Sequence, residues 1–342
     1  MKVLENYSLL AHNTFGIDVR CRRFAEYDSP DELKMFLNEN ESDAHFLHIG
    51  EGSNLLFLKD FEGTILRSNI RSIEMLEDDK DYYALLRVGA AVVWDELVDY
   101  TLSHGLYGLE NLSLIPGTVG AAAVQNIGAY GVEVKDFITR VECMNLRTGE
   151  LRSFSKEECQ YGYRSSFFKL PENWGQWAVL YVTLRLNKTF TPHLEYKGLR
   201  TEIEKRSMSM DALTADVMRN LVIEVRRNKL PDPKVEGNAG SFFKNPVISR
   251  QQFESLLLTY PEMPHYDVDA EHIKVPAAWL IEQCGWKGKS LGRAGVHALQ
   301  PLVLVNRGGA AGVDIQRLSE AIQHDVKQKF DIEINPEVNF IF

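Results

Sequence analysis

The sequence predicts an α+β fold, and three observations support it. Amphipathic helical stripes and short apolar, strand-like runs both recur along the 342 residues. They follow no steady strand–helix–strand rhythm, so a regular parallel sheet is not indicated. A glycine-rich segment, Gly50-Glu-Gly-Ser-Asn54, joins two apolar runs rather than leading into a helix.

Taken in order, Ser29-Pro-Asp-Glu32 is a capping box with proline at the first helical position, followed by an apolar face of Leu33, Phe36 and Leu37. The runs 46–49 and 55–58 read as strand, tight glycine turn, strand. Residues 72–90 alternate enough for short strands. Trp94, Leu97, Val98 and Leu102 then define a helix over 93–104 that stops at Gly105. Strands are expected at 138–146 and 177–186. Val217, Leu221, Val222 and Val225 predict a helix over 214–228, closed by Pro231. The Pro- and Gly-rich stretch 232–240 marks a domain boundary. Ser249 and Gln252 cap a helix carrying Phe253, Leu256 and Leu257, and another helix fits between Pro276 and Gly285. Ile315, Leu318, Ile322 and Val326 set a helix over 313–329. The run Ile332, Ile334, Val338, Phe340 alternates like a strand, interrupted by Pro336.

This length predicts two or three domains. Hydrophobic content of 44% and charged content of 25% fit an ordinary globular protein. The net charge of −10 opposes a general nucleic-acid surface but allows a local Arg and Lys cluster around a small anion. Cys21, Cys143, Cys159 and Cys284 form no C-x-x-C pair and have no histidine at zinc spacing, so no metal site is expected and the thiols read as reduced. Glu5 stands where a signal peptide needs an apolar run, and no window approaches the roughly 18 apolar residues of a membrane span. A cytoplasmic monomer is expected.

Glycines at 50 and 52 permit positive φ and remove the Cβ atoms that would keep a ligand off the backbone. Consecutive N–H groups in such a turn can converge on a phosphate. Most glycine turns between strands bind nothing. A second small-residue stretch over 116–131 raises the case for a large phosphorylated cofactor. The G-x-G-x-x-G fingerprint fails at Leu55, and a P-loop ending in Gly288-Lys-Ser290 fails at Gln283. A dinucleotide would therefore bind by neither common scheme.

Read together, Asn13-Thr-Phe-Gly-Ile17, Gly50-Glu-Gly-Ser-Asn54, the 115–131 loop, Tyr161-Gly-Tyr-Arg-Ser165, Lys229-Leu-Pro-Asp-Pro233, the 237–246 segment and Pro336-Glu-Val338 carry a resemblance. The chain resembles the UDP-N-acetylenolpyruvoylglucosamine reductase family, in its longer form, over essentially its whole length. The resemblance implies a two-subdomain FAD-binding fold of the vanillyl-alcohol oxidase type plus an α+β substrate domain. It divides the chain into residues 1–69 with the terminal strand 333–342, residues 70–231, and residues 232–332. It implies non-covalent FAD, because Ser53 and Asn54 stand where some relatives carry a linking histidine. NADPH is the implied hydride donor, and the enolpyruvyl ether of UDP-N-acetylglucosamine the implied substrate.

The resemblance assigns Gly50, Glu51, Gly52, Ser53, Asn54, Ile115, Pro116, Gly117, Gly120, Ala121, Asn126, Gly128 and Tyr130 to the cofactor. It assigns Tyr196, Lys229, Asn245 and Gln300 to the sugar nucleotide. Arg164 is the implied clamp on the enolpyruvyl carboxylate, Ser241 the proton donor, and Glu337 an assisting carboxylate. Taken without the motif, Arg164 reads as a surface arginine, Ser241 as a turn serine and Glu337 as an exposed charge. The two phenylalanines after Ser241 suggest a water-poor pocket for its hydroxyl. Asn339 departs from the arginine common in relatives. The alternatives are another FAD-dependent sugar oxidoreductase of the same fold and a non-catalytic flavin- or nucleotide-binding regulator.

Overall fold

The computed structural model describes residues 1–40 and 45–342. Helices and strands are mixed, as the patterns predict, and the chain groups into two compact units. One comprises Met1–Tyr7, Cys21–Glu51 and Glu62–Asn228; the other comprises Ser8–Arg20, Gly52–Phe61 and Lys229–Phe342.

In the first unit a four-stranded sheet runs in the order Lys2–Ser8, Arg20–Tyr27, Phe61–Ser68, Phe46–Ile49. The helix Pro30–Glu39 buries Leu33, Phe36 and Leu37 with Leu66 and Ile70. Its cap is offset from the simple box. Ser29 Oγ accepts from the Glu32 N–H at 3.2 Å, whereas the Glu32 carboxylate accepts from Asp28 at 2.8 Å, one residue before the cap. A five-stranded antiparallel sheet follows the order Leu151–Ser155, Ile138–Asn145, Trp177–Asn187, Tyr83–Gly89, Ile73–Asp78. Trp94, Leu97 and Val98 of the helix Trp94–Ser103 share a core with Leu86, Val141 and Val182 of that sheet. Gly105, at φ +65°, ends this helix. The helix Ala215–Lys229 buries Met218, Leu221, Val222 and Val225 with Leu199 and Ile203 of the helix Lys197–Lys205.

In the second unit the sheet order is Gly237–Ser241, Val303–Asn306, Ala294–Val296, Ser290–Leu291. The helix Gly312–Phe330 lies against these strands and buries Ile315, Leu318, Ile322 and Val326 completely. The helix Arg250–Leu257 is capped by Ser249 Oγ, which accepts from Gln252 at 3.1 Å.

The strands expected on either side of 50–54 are present and pair with different partners: Phe46–Ile49 runs in parallel with Phe61–Ser68, and Leu55–Phe57 in parallel with Asn339–Ile341. One sequence reading is corrected. The terminal strand covers only Asn339–Ile341. Ile332 and Ile334 are buried on irregular chain, because burial alone produces the same alternation as a half-buried strand.

Candidate active site

The two small-residue segments meet for a reason the sequence does not announce. A Cβ at Gly50 would lie 2.8 Å from Thr118 Oγ1 and 3.4 Å from the Ala121 Cβ. A Cβ at Gly52, which has φ +68°, would lie 2.1 Å from the His12 carbonyl oxygen. At both positions the missing side chain makes room for the protein's own chain rather than for a ligand. The second segment is laid along residues 90–94: Gly117 O accepts from Trp94 at 2.9 Å, and the Gly120 N–H donates to Ala90 O at 3.0 Å. Thr118 then caps the short helix Val119–Gln125, and Ile115 packs at the edge of the main core.

Thr14 donates its N–H to Gly52 O at 3.3 Å, yet its buried Oγ1 has no hydrogen-bond partner among the described residues. Native proteins rarely leave such an atom unmatched. An orphaned hydroxyl beside a glycine loop suits a polyhydroxylated, phosphorylated cofactor, so the residues present fit FAD. Glu51 and Ser53 are partly buried in that loop, and Pro116 stands exposed ahead of Gly117.

Arg164 occupies the tip of a tight turn in which Gly162 and Ser165 exchange two backbone hydrogen bonds of 3.1 Å. Its backbone is left-handed, at φ +52°. The guanidinium turns back onto the second segment, donating to Gly128 O at 2.5 Å and to Asn126 O at 3.4 Å. Any Cβ at Gly128 would lie 2.9 Å from Arg164 Nη1, so glycine there leaves space for the arginine. Lys169 Nζ holds the Arg164 carbonyl at 3.0 Å. Asn126, fully buried, ends its helix in the left-handed region and ties the turn down by donating to Gly162 O at 2.8 Å.

Tyr130 and Tyr196 meet edge-to-face with centroids 5.3 Å apart. Two residues that sequence reading did not select support Tyr130. The buried Asn111 donates from one amide nitrogen to Tyr130 O and His193 O, each at 2.9 Å. Arg226 donates to Leu114 O at 3.2 Å and lies near the Tyr130 hydroxyl. Burial pushes the Arg226 pKa down, with Tyr130 opposing and the charge of Arg164 adding to the fall. Burial likewise pushes the Tyr130 phenol up, and Arg226 offsets part of this. Two cations that feel one another in a partly buried place favour an anion. The available signals were an arginine in the helical stripe after Val222 and Val225, and an asparagine between Leu109 and Leu112.

In the second unit, Ser241 ends the strand Gly237–Ser241 just after a bulge. The pairing register shifts between Asn238 and Ser241, Gly240 takes φ +70°, and its N–H donates to Asn238 Oδ1 at 2.9 Å. Bulges re-aim side chains, and this one delivers Ser241 to an exposed position. The expected water-poor pocket is therefore not present around Ser241. The following Phe242 and Phe243 are buried instead, packed on each other at 5.0 Å. Past Ser241 the chain pairs with 335–337: Phe243 bridges Pro336, and the Glu337 N–H donates to Phe242 O at 2.7 Å. Glu337 thus stands beside the strand end that carries Ser241. Asn54 Nδ2 donates to Glu337 O at 3.2 Å.

Asn245 Oδ1 accepts from Ala277 at 3.0 Å, at the start of the helix Ala277–Gln283. The Gln300 N–H donates to His297 Nδ1 at 3.2 Å in a turn, and Lys229 is exposed at the end of its helix. No His, Cys, Asp and Glu cluster able to hold a metal occurs among the described residues, and no helix among them is long and apolar enough to cross a membrane.

Comparison with known proteins identifies the family of the chain. Residues 22–155 match the FAD binding domain family, and residues 232–341 match the C-terminal domain of UDP-N-acetylenolpyruvoylglucosamine reductase. The UDP-N-acetylenolpyruvoylglucosamine reductase of Bacteroides fragilis strain YCH46 is 54% identical over 98% of this chain and 99% of its own. That of Porphyromonas gingivalis strain W83 is 46% identical over the full length of both. The crystal structure of the corresponding reductase (MurB) from Thermus caldophilus shares the fold, with a TM-score of 0.66 over 99% of this chain and 98% of that one at 23% identity. By full-length identity and by its C-terminal domain, the chain belongs to the UDP-N-acetylenolpyruvoylglucosamine reductase family.

Proposed function

We propose that the chain reduces the enolpyruvyl ether of UDP-N-acetylglucosamine to UDP-N-acetylmuramate for bacterial peptidoglycan synthesis, using bound FAD and NADPH. The observation that carries this reading is the 2.7 Å bond from the Glu337 N–H to Phe242 O, which keeps a carboxylate residue beside the strand end bearing Ser241. Relatives named for this reductase support the choice of substrate.

FAD, when bound, supplies the two-electron exchange between the nicotinamide and the enolpyruvyl group. Residues 50–54, 115–117, 120 and 121, with Asn126, Gly128 and Tyr130, would hold and orient it. Arg164 presents paired N–H donors to the substrate carboxylate and stays charged as negative charge gathers there. Ser241 Oγ donates its proton to the carbon that bears that carboxylate. A serine hydroxyl is a weak acid, so it serves only a strongly basic carbon. Glu337 assists at the same group. Tyr196, Lys229, Asn245 and Gln300 bind the sugar nucleotide, and the exposed Lys229 ammonium offsets diphosphate charge. In this reading FAD is served by residues 1–69 with 333–342 and by 70–231, and the sugar nucleotide by 232–332. Both soluble substrates are charged and do not cross membranes unaided, so the chain works in the cytoplasm, as a monomer.

The test is direct. The purified protein should be yellow, consume NADPH only when the UDP-sugar is added, and yield a product two hydrogens heavier. Substrate-dependent oxygen uptake without NADPH consumption would instead identify an oxidase on the same fold.

A further inference from the structure

The 335–338 segment carries Glu337 but has no regular structure of its own, so its place depends on the bonds it makes. Its amino side is tied to the chain after Ser241. Lys244 donates to Asn335 O at 2.9 Å, Phe243 bridges Pro336, and the Glu337 N–H donates to Phe242 O at 2.7 Å. Its carboxyl side is tied to Asn54 by bonds running in both directions. Asn54 Nδ2 donates to Glu337 O at 3.2 Å. In return, Asn54 O accepts from the Asn339 N–H at 3.1 Å and from Asn339 Nδ2 at 3.2 Å. Just beyond, Asn339–Ile341 runs in parallel register with Leu55–Phe57, and Phe340 packs on Phe242 at 6.0 Å.

We propose that Asn54 and Asn339 form a reciprocal clamp that positions Glu337 at the strand carrying Ser241. The last residue of the glycine loop would then serve the proton-transfer half of the reaction. The inference rests on the functional reading above and deepens it. Both peptide groups of Glu337 are engaged, the N–H by Phe242 and the carbonyl by Asn54, so its Cα is fixed from two sides. Losing the Asn54 amide releases the Glu337 carbonyl, and losing the Asn339 amide loosens the Asn54 backbone beside it, so the Glu337 Cα is no longer set from both sides and the carboxylate shifts with it. The opposite end of the loop is pinned where Gly52 lies against the His12 backbone and accepts from Thr14. Motion at Asn54 is therefore not absorbed within the loop.

The experiment compares holoenzymes carrying Asn54→Ala, Asn339→Ala, Glu337→Gln and the pairwise combinations. FAD content is read from absorbance, and anaerobic stopped-flow follows flavin reduction by NADPH separately from reoxidation by the UDP-sugar. Misplacing a participating group by about an ångström costs up to roughly a hundredfold in rate, so each alanine variant should slow reoxidation by about ten- to a hundredfold. Asn339→Ala, outside the residues assigned to the cofactor, should leave reduction and FAD content unchanged, and Asn54→Ala is compared on its FAD-loaded fraction. In the Glu337→Gln background Asn54→Ala should add nothing further, because the clamp acts through Glu337. Asn339→Gln, which keeps an amide donor, should recover more activity than Asn339→Ala and covers the case in which alanine disturbs folding. An equal slowing by Asn54→Ala in both backgrounds, or in Asn339→Ala a loss confined to FAD content or reduction, overturns the clamp while leaving the functional reading intact. A wild-type enzyme whose reduced flavin ignores the UDP-sugar overturns both.

Discussion

Arg164, the proposed carboxylate clamp, shows how a side chain is aimed by features remote from it in sequence. A left-handed backbone costs a non-glycine residue about 1–2 kcal/mol, and the carbonyl contacts of Asn126 and Gly128 hold it there. Arg164→Lys keeps the charge but loses the fork. It is expected to slow flavin reoxidation by substrate while leaving reduction by NADPH near normal, as single-turnover kinetics would read. Ser241→Ala should give the same split more strongly, slowing reoxidation ~10²–10⁴-fold, the usual loss for a missing general acid. Ser241→Cys should retain more activity than alanine, because a thiol still donates a proton. If instead reduction fails in the alanine variant and reoxidation does not, Ser241 has no acid role. These residues were legible as motif positions, whereas their geometry was not. The turn at 162–165, the bulge before Ser241 and the supporting Asn111 and Arg226 depend on hydrogen bonds between distant segments, and local propensity carries no trace of those.

Elements with a strong period were read well from sequence, and those without one were missed. The helices around 30–39, 94–103, 215–229, 250–257, 277–283 and 312–330 all carry caps or apolar stripes. The helix Val119–Gln125 read as loop because a run of glycine and alanine has no apolar face. Lys2–Ser8 is mostly exposed and lacks alternation, and Gly237–Ser241 has little β propensity and is a strand because Val303–Asn306 pairs with it. Two predictions belong at this scale. Gly52→Ala should destabilise the fold by more than the roughly 1 kcal/mol of left-handed backbone alone, since the new Cβ meets the His12 carbonyl, and a thermal melt would register it. On the strand Phe46–Ile49, burial lowers the His48 pKa to about 4, and Tyr27 Oη lies 2.8 Å from its Nε2. An unfolded histidine titrates near 6.5, so the unfolded chain takes up the proton first. The contribution of neutral His48 is complete above about pH 6.5 and is lost as pH falls toward 4, by roughly 3 kcal/mol in all. His48→Gln should flatten that part of the curve of stability against pH. An unchanged acid limb in urea titrations would rule His48 out as its source.

For the whole molecule, the proposed function requires one bound flavin to exchange electrons with two partners in turn. Parallel double-reciprocal plots for NADPH and the UDP-sugar are expected at low substrate, with inhibition when the sugar nucleotide is in excess. Intersecting lines would mean that both bind together. Acid precipitation should release the flavin colour into the supernatant, because Ser53 and Asn54 provide no histidine for a covalent link. Colour kept in the pellet would contradict this.

The parallel pairing of Leu55–Phe57 with Asn339–Ile341 also constrains how the protein is made. A nascent chain emerging from the ribosome exposes Leu55–Phe57 hundreds of residues before its partner strand exists. Until then an apolar strand edge stays open to other chains, and closing a loop of that length is slow. The first unit can assemble during synthesis, but the second unit, which draws on both early and late stretches, must wait for residues 339–341 to leave the exit tunnel. Chaperone dependence during translation, rather than low final stability, is then what would limit its yield in a foreign host.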